Sequence, residues 1–354
     1  VRVAYTLEQC WHRVPGGTAV AALRVAQALQ RIPDIELVEV AGRHRHVPPP
    51  PWRPSAPVAQ LPIGSPWLYE TWLRFGLPNV ERATGRVDVA HATTIIPCAS
   101  AAPLVVTVHD LAFLHEPDHF TRHGVRVFRS SLSRIRQRAA LVLCSSQATI
   151  DDCATAGIAA ERLRLVPLGV DASTVGEGDV DRVRATYALP ERFLLFVGTV
   201  EPRKNLSGLA AAIRLLDEPL PLVVAGAAGW GDVSTDPVAD VRFLGFVPDG
   251  DLGALYATAE VCCYPSLREG YGLPVLEAMA HGVPVVTSRG TSTEEAAGGA
   301  AVLVDPLDPA DIARGITEAR RDRADLVERG SARAASQSWA RTAALTAAAY
   351  REIA

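Results

Sequence analysis

The sequence predicts an α/β protein made of two doubly wound parallel-sheet domains. Three observations carry that reading. The chain has 354 residues, more than one hydrophobic core usually serves. Short β-branched runs alternate with Ala-, Leu- and Arg-rich stretches of helical period, the pattern of βαβ units. The alternation also runs through twice, once in each half of the chain.

In the first half, strands are read at VRVAYT, IELVEV, VDVAHA, LVVTV, LVLCSS and LRLVPL, with helices at residues 18–31 and 124–138. In the second half they are FLLFVG, LPLVVAG, VRFLG, EVCCYP, PVVTS and AVLVD, with helices at residues 206–216 and 274–281. Between the halves, within residues 170–190, VDASTVGEGD is small, polar and Gly-containing, as a linker is. The expected domains are therefore residues 1–172 and 186–335, followed by a last helix over residues 336–354. Residues 47–66, with PPPPWRP at their centre, cannot continue a helix or a central strand. They read as a surface excursion of the first domain.

Composition excludes several classes. Apolar residues make up 48% and charged residues 21%, an ordinary globular balance. The net charge of −4 speaks against a general nucleic-acid binder. The six cysteines form no CxxC pair and sit in apolar runs, so they read as reduced, buried thiols rather than metal ligands or disulfides. No apolar run reaches the ~18 residues of a membrane span. VRVAYTLEQC lacks the basic and apolar regions of a signal peptide, so the expected location is cytoplasmic.

The chemistry begins at SLREGYGLPVLEAMAHGVPVV. Pro274 and Gly282 bracket a short helix. Gly270-Tyr271-Gly272-Leu273 lead into it, and glycines there let backbone amides approach an anion at the helix N-terminus. Glu269 stands before this seat and Glu277 on the helix. Carboxylates so spaced can grip hydroxyls at both ends of a diphosphate. A second motif, FVGTVEPRKNL, puts Arg203 and Lys204 after the first strand of the second half, where adjacent cations suit a diphosphate whose charge grows as a bond breaks. In LVVTVHDLAFLHEP, His109 ends a strand, where open α/β sheets present ligands, and Asp110 is the candidate to fix its tautomer. Gly16-Gly17 form a turn before the first helix; GxGxxG is absent there, and a simple turn fits the pair as well as a phosphate approach.

On these residues the chain resembles the retaining glycosyltransferases of family 4, which have the GT-B fold: two Rossmann-like domains with a cleft between them. The resemblance is sharpest over residues 193–306, and residues 281–286 match the GxPVV strand that closes the family's motif. It implies that Glu269 faces the donor sugar and Glu277 the ribose. Lys204, with Arg203, would hold the diphosphate, and His109 would orient the sugar. Gly16, Gly17 and the Gly270–Leu273 run would line the donor, with Phe246 and Val247 at the base. Residues 222–232 resemble a wall of the second domain. Glu294 and Glu295 read as a solvated helix start. One departure is Thr199, where many members carry an Arg after the strand's glycine, so the clamp rests on Arg203 and Lys204.

The implied reaction moves a hexose from a nucleoside-diphosphate sugar to a hydroxyl acceptor (glycan, lipid-linked or small molecule) with retention of configuration. The first domain would hold the acceptor, the second the nucleotide, and the last helix would pack back on the first. The PRKN run resembles that of the family's mannosyltransferases, which makes GDP-mannose the first expected donor and a UDP-sugar the second. No Asp-x-Asp stands at a strand end, so neither metal nor other cofactor is expected. Arg122–Arg138 holds six arginines. It reads first as a solvated or salt-bridged face, and second as peripheral contact with an anionic membrane on its inner face. An epimerase or hydrolase on the same fold, or a nucleotide-sugar-binding subunit without catalysis, remains the alternative. Absence of GxGxxG speaks against a nicotinamide-dependent oxidoreductase.

Overall fold

The computed structural model describes residues 1–13, 15–227, 229 and 240–354. The chain divides into two compact units: unit 1 is Val1–Gly169 with Trp339–Ala354, and unit 2 is Val170–Ser338.

Unit 1 contains strands β1 (Arg2–Thr6), β2 (Glu36–Ala41), β3 (Ala59–Gln60), β4 (Val89–Ala92), β5 (Leu104–Val108), β6 (Ala139–Cys144) and β7 (Leu163–Leu165). They form one parallel sheet in the order β3-β2-β1-β4-β5-β6-β7. Its helices are α1 (Gly16–Leu29), α2 (Trp67–Phe75), α3 (Glu81–Thr84), α4 (Ala112–His115), α5 (Arg122–Arg138) and α6 (Gln147–Thr155). Unit 2 opens with α7 (Asp179–Thr186) and contains β8 (Leu194–Val197), β9 (Leu222–Ala225), β10 (Val241–Gly245), β11 (Val261–Tyr264), β12 (Val285–Ser288) and β13 (Val302–Val304). The order is β10-β9-β8-β11-β12-β13, again parallel. Its further helices are α8 (Leu206–Ile213), α9 (Asp249–Thr258), α10 (Leu273–Ala280), α11 (Ser292–Ala297), α12 (Pro309–Arg321) and α13 (Arg323–Ser336), and α14 (Trp339–Ile353) then completes unit 1.

Both strand orders are those of a doubly wound fold, so each sheet has one point where the order reverses. It lies between β1 and β4 in unit 1 and between β8 and β11 in unit 2. The central strands are buried on both faces, as the wholly buried LLFV of β8 and VCCY of β11 show. That burial is why these runs are continuously apolar rather than alternating.

Three expectations change. Residues 170–172, expected in the first domain, and 173–185, left between the domains, belong to unit 2: α7 forms there, buries Val183, and is pinned by Arg182 to Asp251 at 2.6 Å. Residues 336–338 likewise belong to unit 2, and the last helix starts only at Trp339. The excursion at residues 47–66 holds β3, two residues long and at the sheet edge, where a Pro-rich neighbourhood can be tolerated. Of residues 222–232, positions 228 and 230–232 lie outside the described residues. All six cysteines are free and buried. Among the described residues no helix is long and apolar enough to cross a membrane.

α14 is integral to unit 1. Its Tyr350 hydroxyl meets His91 Nδ1 at 2.6 Å, and His91 Nε2 meets Thr107 Oγ1 on β5 at 2.8 Å. Burial, then the neighbouring His109, depresses the His91 pKa to about 3, so this imidazole is neutral.

Candidate active site

The densest buried charge cluster in unit 2 sits at its topological switch point. The loop after β8 carries Glu201, Arg203 and Lys204; the loop after β11 carries Glu269. Lys204 Nζ lies 2.7 Å from Glu269 Oε1, and Arg203 Nη1 lies 3.0 Å from Glu269 Oε2. Arg203 Nε also pairs with Glu201 Oε2 at 2.9 Å. Tyr264, the last residue of β11, donates its hydroxyl to Glu269 Oε1 at 3.0 Å and itself accepts from Lys204 Nζ. The Lys204 ammonium stands 4.9 Å from the centre of the Tyr264 ring, which stacks on Phe196. The Arg203 carbonyl accepts from Leu267 N at 2.8 Å, tying the two loops together.

Burial and charge compete in this cluster. Burial pushes the Glu269 carboxyl up, but Lys204 and Arg203 outweigh it and hold the pKa down to about 2. Burial lowers the Lys204 pKa, and Glu269 opposes that shift. For Glu201 burial wins over Arg203 and Lys204, and its pKa rises. The result is a carboxylate ionised near neutral pH, holding two cations at the carboxyl ends of the strands, where open α/β sheets bind ligands.

The loops approach closely because of glycine. A Cβ at Gly226, after β9, would stand 1.9 Å from the Gly198 carbonyl oxygen. Gly272 has φ +108 and caps α10, where a Cβ would press Thr293 Cγ2 at 3.0 Å. α10 begins at Leu273, one residue before the expected Pro274, because Gly272 already turns the chain. Glu277 is one turn along it and accepts from the Tyr256 hydroxyl at 2.8 Å. A carboxylate, glycine-flanked amides and a second carboxylate thus follow one another from the loop after β11 into α10.

Other predicted residues separate by side chain and backbone. Tyr271 is 5% exposed and its hydroxyl reaches Gln337 Oε1 at 3.3 Å. Its side chain therefore faces the interior of unit 2. Val247 is core at 6% exposure, whereas Phe246 is 48% exposed, so the pair does not present two side chains to a base. Glu294 accepts from Gly290 N at 2.6 Å, and Thr291 caps α11, a helix start.

In unit 1, His109 follows β5. The expectation that Asp110 fixes its tautomer is corrected: Asp110 Oδ1 accepts from the Ala112 amide at 3.1 Å, and the Thr93 backbone meets the His109 ring. Thr93 comes from the end of the neighbouring strand, which short-range sequence cannot reveal. His109 Nε2 is buried without a protein partner and borders a cavity of about 30 Å³ shared with Tyr5, His91, Thr93 and Thr107. Burial lowers its pKa, with Asp110 and Thr93 opposing. Gly16, at φ +63, and Gly17 open α1, and a Cβ at either would meet nothing within 4 Å.

Sequence reasoning missed Glu201 and Tyr264. Both were adjacent to quoted motifs, Glu201 inside VEPRKN and Tyr264 at the end of EVCCYP. The available signal was an acidic residue beside two cations and a tyrosine at a strand's carboxyl end.

Comparison with known proteins identifies the family. Residues 15–174 match the family model described as Glycosyltransferase Family 4, and residues 191–322 match Glycosyl transferases group 1. O-antigen chain mannosyltransferase B of Escherichia coli is 34% identical over 270 residues, 70% of each chain. The MMP alpha-(1->4)-mannosyltransferase of Mycolicibacterium hassiacum is 28% identical over 90% of this chain and 86% of its own. Among solved structures, Anabaena HepE in complex with UDP and glucose superposes with a TM-score of 0.75 at 19% identity, covering 99% of both chains. With both units matched and a relative one-third identical over most of its length, the chain belongs to glycosyltransferase family 4.

Proposed function

We propose that this glycosyltransferase moves mannose from GDP-mannose to a hydroxyl acceptor, with retention of anomeric configuration and without a metal. The observation that carries the reading is the buried Lys204–Glu269–Arg203 cluster at the switch point of unit 2, directly before the α10 N-terminus that leads to Glu277. On this reading Glu277 takes the ribose and the amides around Gly272 take the diphosphate. Lys204 and Arg203 neutralise the charge that the leaving diphosphate gains, and Glu269 holds both cations and meets the donor sugar. The sugar C1–O bond breaks with its electron pair going to the diphosphate. The acceptor oxygen bonds C1 on the same face, and its proton passes to a diphosphate oxygen. His109, neutral and fixed by Thr93, orients the sugar. Mannose is supported by the mannosyltransferases among the relatives.

The test is thermal-shift titration with GDP, UDP, ADP and dTDP, followed by NMR assignment of the product anomer. Stabilisation by GDP and an α-linked product support the reading; stabilisation by UDP alone moves the donor to a UDP-sugar, and a β-linked product overturns retention.

For a lipid-linked acceptor the supporting observation is α5. Arg122, Arg126, Arg129, Arg136 and Arg138 are exposed along it, with no acidic residue between them. Co-sedimentation with phosphatidylglycerol vesicles, but not phosphatidylcholine vesicles, tests this contact, and Arg126→Ser with Arg129→Ser should reduce it several-fold.

A further inference from the structure

Unit 1 holds a second buried carboxylate site. β1 and β2 are adjacent parallel strands, so the segments beyond their carboxyl ends lie side by side, next to the switch point between β1 and β4. Glu8 follows β1 and is 1% exposed. Its Oε2 accepts from Gly42 N at 2.7 Å and lies 3.0 Å from His44 Nε2, both just beyond β2. Its Oε1 is buried with no hydrogen-bond donor among the described residues.

The surroundings are aromatic. Trp11 stacks on His44, ring centres 4.5 Å apart and planes within 8°. The exposed His12 meets the Tyr69 hydroxyl at 2.8 Å. Burial and then the Glu8 charge raise the Tyr69 pKa, which places that hydroxyl in the carboxylate's field. Gly42 lets the second segment press down on Glu8: a Cβ there would stand 2.8 Å from Ile63 O and 3.1 Å from Glu8 Oε2.

A buried carboxylate oxygen without a donor is costly, and such groups in native structures call for an explanation. A hydroxyl donor would satisfy it. A phosphate group is largely dianionic near neutral pH and would be repelled. Arg13, Arg43 and Arg45 on the same segments are exposed, where solvent and salt screen them.

We propose that Glu8, with His44, His12, Tyr69 and Trp11 around it, forms the acceptor seat, and that it takes an uncharged pyranose end whose hydroxyl donates to Glu8 Oε1. The proposal rests on the reading of the chain as a transferase acting on a hydroxyl acceptor. It excludes a phosphorylated group at this subsite.

The experiment is saturation-transfer NMR with the methyl α-D-glycosides of mannose, glucose and galactose, and separately with mannose 6-phosphate. The donor site is saturated with whichever of GDP and UDP raises the melting temperature. The wild type should bind at least one glycoside, and Glu8→Gln, which turns the free acceptor into a donor, should weaken it at least fivefold. Tyr69→Phe provides a second variant should Glu8→Gln not fold; it should weaken the same glycoside, and wild-type affinity in it would then overturn the seat. The nucleotide-induced melting shift should stay within 1 °C of wild type in each folded variant, so that lost binding is not lost fold. Glycoside binding unchanged within twofold in Glu8→Gln, no signal from any glycoside, or tighter binding of mannose 6-phosphate overturns the proposal. A wild type with no nucleotide shift fails the donor reading instead, and the glycoside comparison, run without nucleotide, still decides this one.

Discussion

Lys204 and Glu269 form a buried ion pair, Nζ to Oε1 at 2.7 Å, with each side chain 8% exposed. The two residues lie on loops that follow β8 and β11, which are neighbouring strands, so the pair fixes both edges of the crevice at once. Removing one member of a buried pair typically costs about 3–5 kcal/mol because the other is left uncompensated. Lys204→Ala should therefore lower the melting temperature. Below that temperature it should reduce kcat by about 10²–10³-fold while changing nucleotide affinity less than tenfold. Steady-state kinetics beside nucleotide titration checks this; unchanged kcat would remove Lys204 from the reaction.

Glu277 supports a different expectation. Its Oε2 accepts from Tyr256, a contact that Gln can keep through its amide oxygen. Glu277→Gln should hold its fold yet bind nucleoside diphosphate about tenfold more weakly, the equivalent of ~1.4 kcal/mol. Glu277→Ala should abolish the thermal shift. A full shift in the Ala variant would put the ribose elsewhere.

Acid should destabilise the protein in two windows. His91 is buried with its pKa depressed from 6.5 to about 3. Unfolding lets it take a proton, so its contribution is intact above about pH 6.5 and is lost as pH falls towards 3, at up to ~1.4 kcal/mol per pH unit. Glu269, depressed from 4.5 to about 2, contributes above 4.5 and loses that contribution between 4.5 and 2. Glu201, raised by burial, acts in the opposite sense above pH 4.5, and so offsets part of the first window rather than the second. Glu39, raised by burial from 4.5 to about 7, also offsets His91 above pH 4.5, so urea midpoints at pH 7, 5.5 and 4.5 are compared between wild type and His91→Gln. His91→Gln should start less stable and fall less; an identical slope would remove His91 from the account.

Tyr350→Phe isolates one contact. It removes the hydroxyl that meets His91 Nδ1 and leaves a buried ring nitrogen unpaired, which should cost about 1–3 kcal/mol. Chemical denaturation of the variant measures the loss directly.

The residue order of the fold was legible wherever strands are central, because burial on both faces makes β8 and β11 continuous apolar runs. It failed at α7, whose DVDRVRAT buries one valine and is held by Asp251 from a distant helix, and at β3, too short to leave a pattern. The site divides the same way. Glu269, Gly272 and Glu277 follow one another from the loop after β11 into α10, and Arg203 and Lys204 are neighbours, so local motifs carry them. The Thr93 partner of His109 and the His44 partner of Glu8 come from other strands. Only the sheet order, not the spacing, brings them together.

Unit 1 is discontinuous, and this bears on how it is made. His91 and Tyr350 are 259 positions apart, and every residue of unit 2 lies between Gly169 and Trp339. During vectorial synthesis unit 2 can close while unit 1 still lacks the helix that packs on α1 and β6. The apolar face awaiting Ala343, Ala347 and Tyr350 stays open to water until those residues leave the ribosome. Unit 1 is thus begun before unit 2 and finished after it, and a stall before Trp339 should leave a chain with a completed unit 2 and an uncovered, aggregation-prone unit 1.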